Sequence, residues 1–449
     1  MQKYLLAAFL IFGFFISNAQ DRQELIRRAQ ILAKSAGVDL NRDSRHSSRF
    51  NHMELRSPEF RGAIKQRLDR VDLEELDSTG VLVQVGNYSF TYNTNNQNTK
   101  ASLNLETGIP GILIPLFVDN YFYENNRVVR REEEGLDFNT FLSEKESRTI
   151  YIYNGRGLVS QLITDRWDKS LSDYTPNKKE VRYYDVNDRL VQDTVYGLNV
   201  DNGQFEFNYR HEYTYNGQGL LQSSQQFIFD KSNSIWNNNT REFHTYDANN
   251  NLLQKTLQDW NENLSSFIND EQSTAIYDAI GGINRITTLV WNPNINNWEN
   301  EDKYDYINDN NYDRNDLILP VFSKDFEVEF NRFNKMLKTE FWNDFDLSSN
   351  EWLLAVKSTY IYSQQIVINT EDNKLEGVSF YPNPVESSLS IRNQKGAGTF
   401  ELFNVQGQKI VHQEVVGDAQ VDLSQQLSGF YFYKMTIGGK SATGKLVKN

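Results

Sequence analysis

The side chains with most chemistry to offer here are five histidines, sixty carboxylates and seven tryptophans in 449 residues. His46 and His52 lie in a charged N-terminal stretch, and His412 lies near the C-terminus. His211 and His244 stand four and two residues before two regularly placed tyrosines, so their equal parity puts them on one strand face, as surface or packing residues. No HExxH, GxSxG or phosphate-cradling glycine loop is present. A glycosidase needs two carboxylates about 5–10 Å apart, but sixty acids supply such pairs by chance. Asp185-Val186-Asn187-Asp188 and Asp247-Ala248-Asn249-Asn250 lack the spacing and terminal Glu of a calcium loop, and read first as turn formers. Glu132-Glu133-Glu134 reads as a solvated loop. No catalytic, cofactor-binding or metal-ligating residue is assigned. The tryptophans offer flat apolar faces that could stack on sugar rings. Trp236 and Trp298 are the candidates, because each adjoins an Asn-rich turn where hydroxyls would find partners. The rival role is cross-strand packing against Phe229 and Trp291.

Composition narrows the partners. A net charge of −14 repels phosphate backbones and anionic lipid, which argues against nucleic acid. With no Cys, disulfides and thiol chemistry are excluded. Aromatics reach 13% although the chain as a whole is polar, which suits extended, half-solvated sheets carrying large side chains.

The elements that position these residues show in a repeat. Tyr153, Tyr184, Tyr215, Tyr246 and Tyr277 are evenly spaced, and Tyr92 and Tyr123 extend the series upstream. The period, about 31 residues, falls in the range of repeat architectures. Each of the five precedes a turn-like string: NGRG, DVND, NGQG, DANN or DAIGG. Fourteen residues after them come Trp167, Leu198, Phe229, Trp260 and Trp291; twenty-one after come Tyr174, Phe205, Trp236, Phe267 and Trp298. Each unit therefore holds two strands and two turns, and the two large residues meet across the second turn. Downstream the period loosens through Tyr306, Phe330 and Tyr362. The fold class expected is mainly β: an antiparallel β-hairpin repeat array over residues 80–368, forming a long twisted or spiralling sheet. Residues 20–79 read as a short helical, charged segment.

The two ends carry a different kind of information. Residues 1–19 have a positive start, an apolar run over Tyr4–Ile16 and small residues before Gln20, the pattern of a secretory signal peptide. The mature chain then has no transmembrane segment. A polar linker, 369–376, separates the array from a last β-rich stretch, 377–449. That stretch contains Tyr381-Pro382-Asn383-Pro384, then Asn404 leading to Gly407-Gln408, then Gly429 and Tyr431, and finally Lys445-Leu446-Val447-Lys448.

In order and spacing this stretch resembles the type A sorting domain of the type IX secretion system. The resemblance implies an immunoglobulin-like β-sandwich, the type IX machinery as partner, and passage through the periplasm to the cell surface or medium. The Tyr-Asp/Asn turns resemble the YD-type repeats of bacterial surface proteins, which build spiralling antiparallel sheets. The expectation is an exported, non-enzymatic binding or adhesion scaffold with an extracellular glycan or protein ligand. The alternatives are a polysaccharide-binding component of nutrient capture, or a hydrolase with an unrecognised site.

Overall fold

A computed structural model describes residues 27–30, 63–107, 112–137, 140, 142–321, 330, 332–367, 377–393, 396–404, 407–438 and 440–449. The signal-peptide stretch, His46, His52 and the 369–376 linker lie outside these residues. The chain divides into two units, a large one carrying the repeats and a small C-terminal one.

The large unit begins with β1 (Ala63–Leu76), β2 (Leu82–Tyr92), β3 (Asn98–Glu106), β4 (Leu113–Glu124) and β5 (Arg127–Asp137). The regular hairpins follow: β6 (Leu142–Tyr153) with β7 (Val159–Asp168), β8 (Asp173–Tyr184) with β9 (Leu190–Asn199), and β10 (Gln204–Tyr215) with β11 (Leu221–Asp230). Next come β12 (Ile235–Tyr246) with β13 (Leu252–Asn261), and β14 (Ser266–Tyr277) with β15 (Ile283–Asn292). β16 (Asn297–Asp313), the two-residue β17 (Leu317–Ile318), β18 (Lys335–Asp346) and β19 (Glu351–Val367) complete it. Every neighbour in the meander is antiparallel, and β16 passes over β17 to pair with β18.

β1 pairs with β2 and also with β19, so the sheet closes into a barrel of eighteen strands, with β17 bridging to β1. Lys357 Nζ on β19 meets a Glu74 oxygen on β1 at 2.6 Å across that seam. The antiparallel hairpin array expected from the repeat is present, and its long twisted sheet closes on itself rather than spiralling onward. Closure removes the two unpaired edges that a long meander would otherwise expose. The sealing strand comes from the stretch read as helical: along β1, Val71, Leu73 and Glu75 are buried in period two. Only residues 27–30 of that N-terminal stretch are helical among the described residues, with Ala29 buried.

Side chains from strands on both sides of the closure share one apolar cluster, which only the concave face of a barrel permits. Leu68, Leu103 and Leu105 meet Ile286, Tyr306, Trp342 and Tyr360 there. The β16-to-β18 connection turns into the same space, burying Leu317, Leu319, Phe330 and Phe333.

The repeated tyrosine has a mechanical role. Tyr123, Tyr153, Tyr184, Tyr215, Tyr246 and Tyr277 each donate the phenol hydrogen to the carbonyl 25 residues earlier, on Asn98, Val128, Val159, Leu190, Leu221 and Leu252, at 2.7–2.9 Å. Tyr92 likewise donates to the carbonyl of Leu68, 24 residues earlier, at 2.6 Å. The bond ties the end of one strand to the start of its neighbour, so successive turns at this end of the barrel are stapled together. The series continues one period after Tyr277 at Asn308, whose Nδ2 donates to Ile283 O at 2.7 Å. Tyr306, which the aromatic pattern marks as the successor, instead faces the core.

Turn chemistry sets the register. Asn154, Asp185, Asn216, Asp247 and Asp278 each accept two backbone amides with Oδ1, from the residues two and four ahead. The residue three ahead takes positive φ: Gly157, Asp188, Gly219, Asn250 or Gly281. Gly and Asn tolerate that conformation best. The step from Tyr123 to Tyr153 is one residue shorter than the others. There β4 and β5 are joined by Asn125 and Asn126 alone, both at positive φ, a turn suited to a right-twisted hairpin.

The small unit holds β20 (Val378–Tyr381), β21 (Ser388–Asn393), β22 (Ala397–Phe403), β23 (Lys409–Val416), β24 (Ala419–Asp422), β25 (Gly429–Ile437) and β26 (Lys440–Lys448). They form one sheet ordered β20-β21-β24 and another ordered β23-β22-β25-β26. Leu389, Ile391 and Val421 of the first share a buried cluster with Phe400, Leu402, Met435 and Leu446 of the second.

Burial pushes the phenols of Tyr153, Tyr215 and Tyr246 up to about 12, against about 10 in an unfolded chain. The folded state thus holds protons that the unfolded state releases between those values. Their contribution to stability should be complete below about pH 10 and lost as pH rises through 12. Phenolate absorbance should therefore titrate later in the native protein than in urea. Tyr215→Phe should cost about 1 kcal/mol in denaturant unfolding. A coincident titration in both states, or an unchanged midpoint for the variant, contradicts the staple.

Candidate functional site

At the barrel end opposite the tyrosine staples, six hairpins close on a cross-strand pair of large side chains. Trp167 stands opposite Tyr174, Leu198 opposite Phe205, Phe229 opposite Trp236, Trp260 opposite Phe267, Trp291 opposite Trp298, and Phe345 opposite Trp352. The five all-aromatic pairs have ring centroids 4.9–5.1 Å apart and planes inclined by 59–73°. That edge-to-face geometry suits opposed ring quadrupoles and contributes about 0.5–1.5 kcal/mol per pair beyond burial. The period-two face that holds them is the one turned away from the core, so they form a half-buried girdle outside one rim.

Cations cover most of these rings. Arg148 lies over Tyr174 at 4.5 Å, Lys179 over Phe205 at 5.5 Å, Arg210 over Trp236 at 4.8 Å and Arg241 over Phe267 at 4.2 Å. Lys303 lies over Trp352 at 5.0 Å. Such contacts stabilise by about 0.5–1 kcal/mol at exposed sites. The first four cations recur once per repeat, each at the same offset before its ring. This phase escapes a reading made on aromatic and turn residues, although the spacing carries it.

Trp236, one of the two sequence candidates, sits in a packed aromatic group with Phe207 and Phe229 at 5.4 and 4.9 Å, beneath Arg210. Trp298, the other, touches Trp291 at 5.1 Å and carries no cation among the described residues.

His211 and His244 lie on the inner face rather than a solvent-facing one, while His412 is exposed on β23 of the small unit. His211 is buried, with Nδ1 2.8 Å from Asp193 and Nε2 2.9 Å from Gln226. The amide hydrogen of Gln226 faces Nε2, so the imidazole donates from Nδ1 to Asp193. Tyr213 donates to the other oxygen of Asp193 at 2.5 Å, and burial raises its phenol well above the usual range. His244 contacts Glu242 at 2.9 Å. Glu132, Glu133 and Glu134 lie in β5 instead of a loop. Strand alternation puts Glu132 beside Arg130 and Glu133 beside Arg131. Asp185 and Asp247 spend their carboxylates on turn amides and on Arg189 or Asn251. Among the described residues no cluster of three metal-ligating side chains occurs.

In the C-terminal unit the motif residues converge on the last strand. Tyr381 is exposed at the end of β20, and Pro382 and Pro384 flank Asn383. Asn383 Nδ2 donates to Lys445 O at 2.8 Å, and its Oδ1 accepts from Val447 N at 2.9 Å. Val385 N donates to Val447 O at 2.7 Å, and Asn449 N donates to Val385 O at 2.9 Å. The opening motif is thereby stitched to the closing Lys-Leu-Val-Lys. Gly407, at φ 77°, donates to Asn404 O, and the Gln408 amide donates to Asn404 Oδ1, repeating the turn chemistry of the barrel. Gly429 opens β25, and the buried Tyr431 donates to Leu427 O at 2.7 Å. Lys445 Nζ lies 3.7 Å from the centre of the Phe430 ring.

Residues 379–449 match the secretion system C-terminal sorting domain. The chain carries that domain. Its presence implies export by the type IX secretion system to the cell surface or extracellular space, with that machinery as partner. No curated protein matches the chain. Among solved structures, the chain is similar to a protein of unknown function from Bacteroides fragilis, at 14% identity and TM-score 0.23, covering 35% of this chain and 91% of that one. It is similar to a porin-like protein from Bacteroides uniformis, at 9% identity and TM-score 0.30, covering 66% and 98%. It is also similar to PorZ, a surface component of the type IX secretion system of Porphyromonas gingivalis, at 10% identity and TM-score 0.20, covering 86% of this chain and 59% of PorZ. At such TM-scores none of the three speaks to what this chain does. No helix among the described residues is long and apolar enough to cross a membrane.

Asn383→Ala should loosen the sorting domain, because it removes two hydrogen bonds and leaves Lys445 O and Val447 N to find others. The expected cost is about 1–3 kcal/mol, read as faster proteolysis of residues 377–449 in the full chain with the barrel unaffected. Equal cleavage rates contradict this account of the motif.

Proposed function

We propose that this protein is a non-enzymatic binding scaffold, taken to the periplasm by residues 1–19 and then across the outer membrane by its sorting domain. The sorting domain carries the export half of this reading. The binding half rests on the girdle of aromatic pairs outside one barrel rim, a surface built for contact. Among the described residues, the inner-face carboxylates of Glu133, Glu340 and Asp193 are paired with Arg131, Arg332, His211 and Tyr213. A role in adhesion or in polysaccharide capture follows from the same surface. The two-sheet C-terminal unit is compatible with an immunoglobulin-like sandwich, and release or attachment at the surface follows its export.

A truncation lacking residues 377–449 should fold and accumulate in the periplasm, while the full chain reaches the surface or medium. Cell fractionation with protease accessibility reads this directly. Normal surface delivery of the truncated chain overturns the export reading.

A further inference from the structure

The series of ring-covering cations breaks at one position. Arg148, Lys179, Arg210 and Arg241 recur once per repeat, and the next place, before the series resumes at Lys303, is Gln272. The ring it should cover, at the same offset, is Trp298. Its hairpin pairs two tryptophans, the largest apolar faces available: Trp291 and Trp298 meet at 5.1 Å and 73°. In the neighbouring hairpins the second ring lies under Arg210 or Arg241; over Trp298, which is half-buried, no cation lies among the described residues.

On the outer face between the Arg241 and Lys303 positions, the strands carry mostly uncharged hydrogen-bonding groups, with Arg241 itself bonded to Gln258 at 2.7 Å. Gln272, Thr256, Gln258 and Asn269 share the outer face of neighbouring strands, joined by Gln272 Nε2 to Thr256 Oγ1 at 3.3 Å and Gln258 Nε2 to Asn269 Oδ1 at 2.8 Å. Asn300, two residues from Trp298 on the same strand, adds another amide. An indole face without a covering cation, on a surface that also carries amides and hydroxyls, suits a pyranose ring, whose C–H face is apolar and whose rim carries hydroxyls that both donate and accept. Acidic sugars fit less well, because the whole chain carries −14.

We infer that the Trp291–Trp298 pair, left without a covering cation at Gln272, is a binding site for a neutral polysaccharide. The inference rests on the binding-scaffold reading and names its ligand class. Trp236, under Arg210 and packed on Phe207, serves the structure instead.

The repeat supplies its own test. Gln272→Arg should place a guanidinium over Trp298 as Arg210 does over Trp236, closing the site without loosening the hairpin. Purified full chain is titrated with soluble neutral glucans, mannans and xylans, and with an acidic polyuronate, following tryptophan fluorescence and calorimetric heat. The parent should bind a neutral glycan in preference to the polyuronate. Gln272→Arg should abolish that binding with a melting temperature equal to or above the parent's, and Arg210→Gln should leave it intact. Trp298→Ala should also abolish it, and the Gln272→Arg result guards against loss through unfolding. Binding retained in Gln272→Arg, preference for the polyuronate, or no neutral glycan bound by the parent overturns the inference. Because purified protein is used, these outcomes are independent of whether the truncated chain is exported.

Discussion

Everything in the large unit depends on one bond, in which a tyrosine phenol reaches back to a carbonyl near the start of the neighbouring strand. An antiparallel meander holds its strands by backbone pairing, but at its turns the ladder ends and neighbouring hairpins could splay. The tyrosine staple acts at that point, tying each turn to the one before it. Its reach fixes the period, because donor and acceptor must keep the same offset from their turns. This is nearest-neighbour stabilisation of the kind that governs repeat architectures, here wrapped until the first strand meets the last.

Much of this was legible in the sequence, and the limits have physical causes. Local chemistry read through: tyrosine spacing, Asx turns and the opposed large residues all appear where period and parity place them. What failed was non-local or disguised. Closure depends on β1 meeting β19, from the opposite end of the array, and nothing local to either strand announces the other. β1 itself is disguised by charge: Glu74 and Glu75 sit within an amphipathic run that fits a helix until Lys357 and the barrel seam supply their context. Asn308 continues the staple with an amide in place of a phenol, so a search by residue type passes over it to Tyr306. The girdle was half legible. The rings were found by their spacing; the cations, equally periodic, were not, because charged residues are scattered through the whole chain.

The inner and outer faces divide the work of solubility and packing differently from an ordinary sandwich. Apolar burial concentrates near the seam, where the β16-to-β18 connection fills the space with Leu317, Phe330 and Phe333. A second apolar cluster joins Tyr121, Val128, Tyr151, Val159 and Leu162, and further along the inner face polar groups pair with one another, as with Asp193, His211, Tyr213 and Gln226. A buried charge is tolerable when its partners satisfy it and costly when one is removed. Such networks also oppose a one-residue slip of register, since that would carry Asp193 or Arg131 to the wrong face and strand its partner.

In a repeat, function is best sought where the repeat departs from itself without losing stability. The shortened step at Asn125-Asn126 is a departure explained by a tighter turn. Asn308 is one explained by preserved hydrogen bonding to Ile283. The long β16-to-β18 excursion is explained by the core that it fills. Gln272 is less fully compensated: replacing a cation with an amide gives up a favourable contact over Trp298, and the return is one long hydrogen bond to Thr256 at 3.3 Å. The same hairpin alone enlarges both of its rim residues to tryptophan. A stabilising contact forgone beside a widened aromatic surface is what a site facing outward would require.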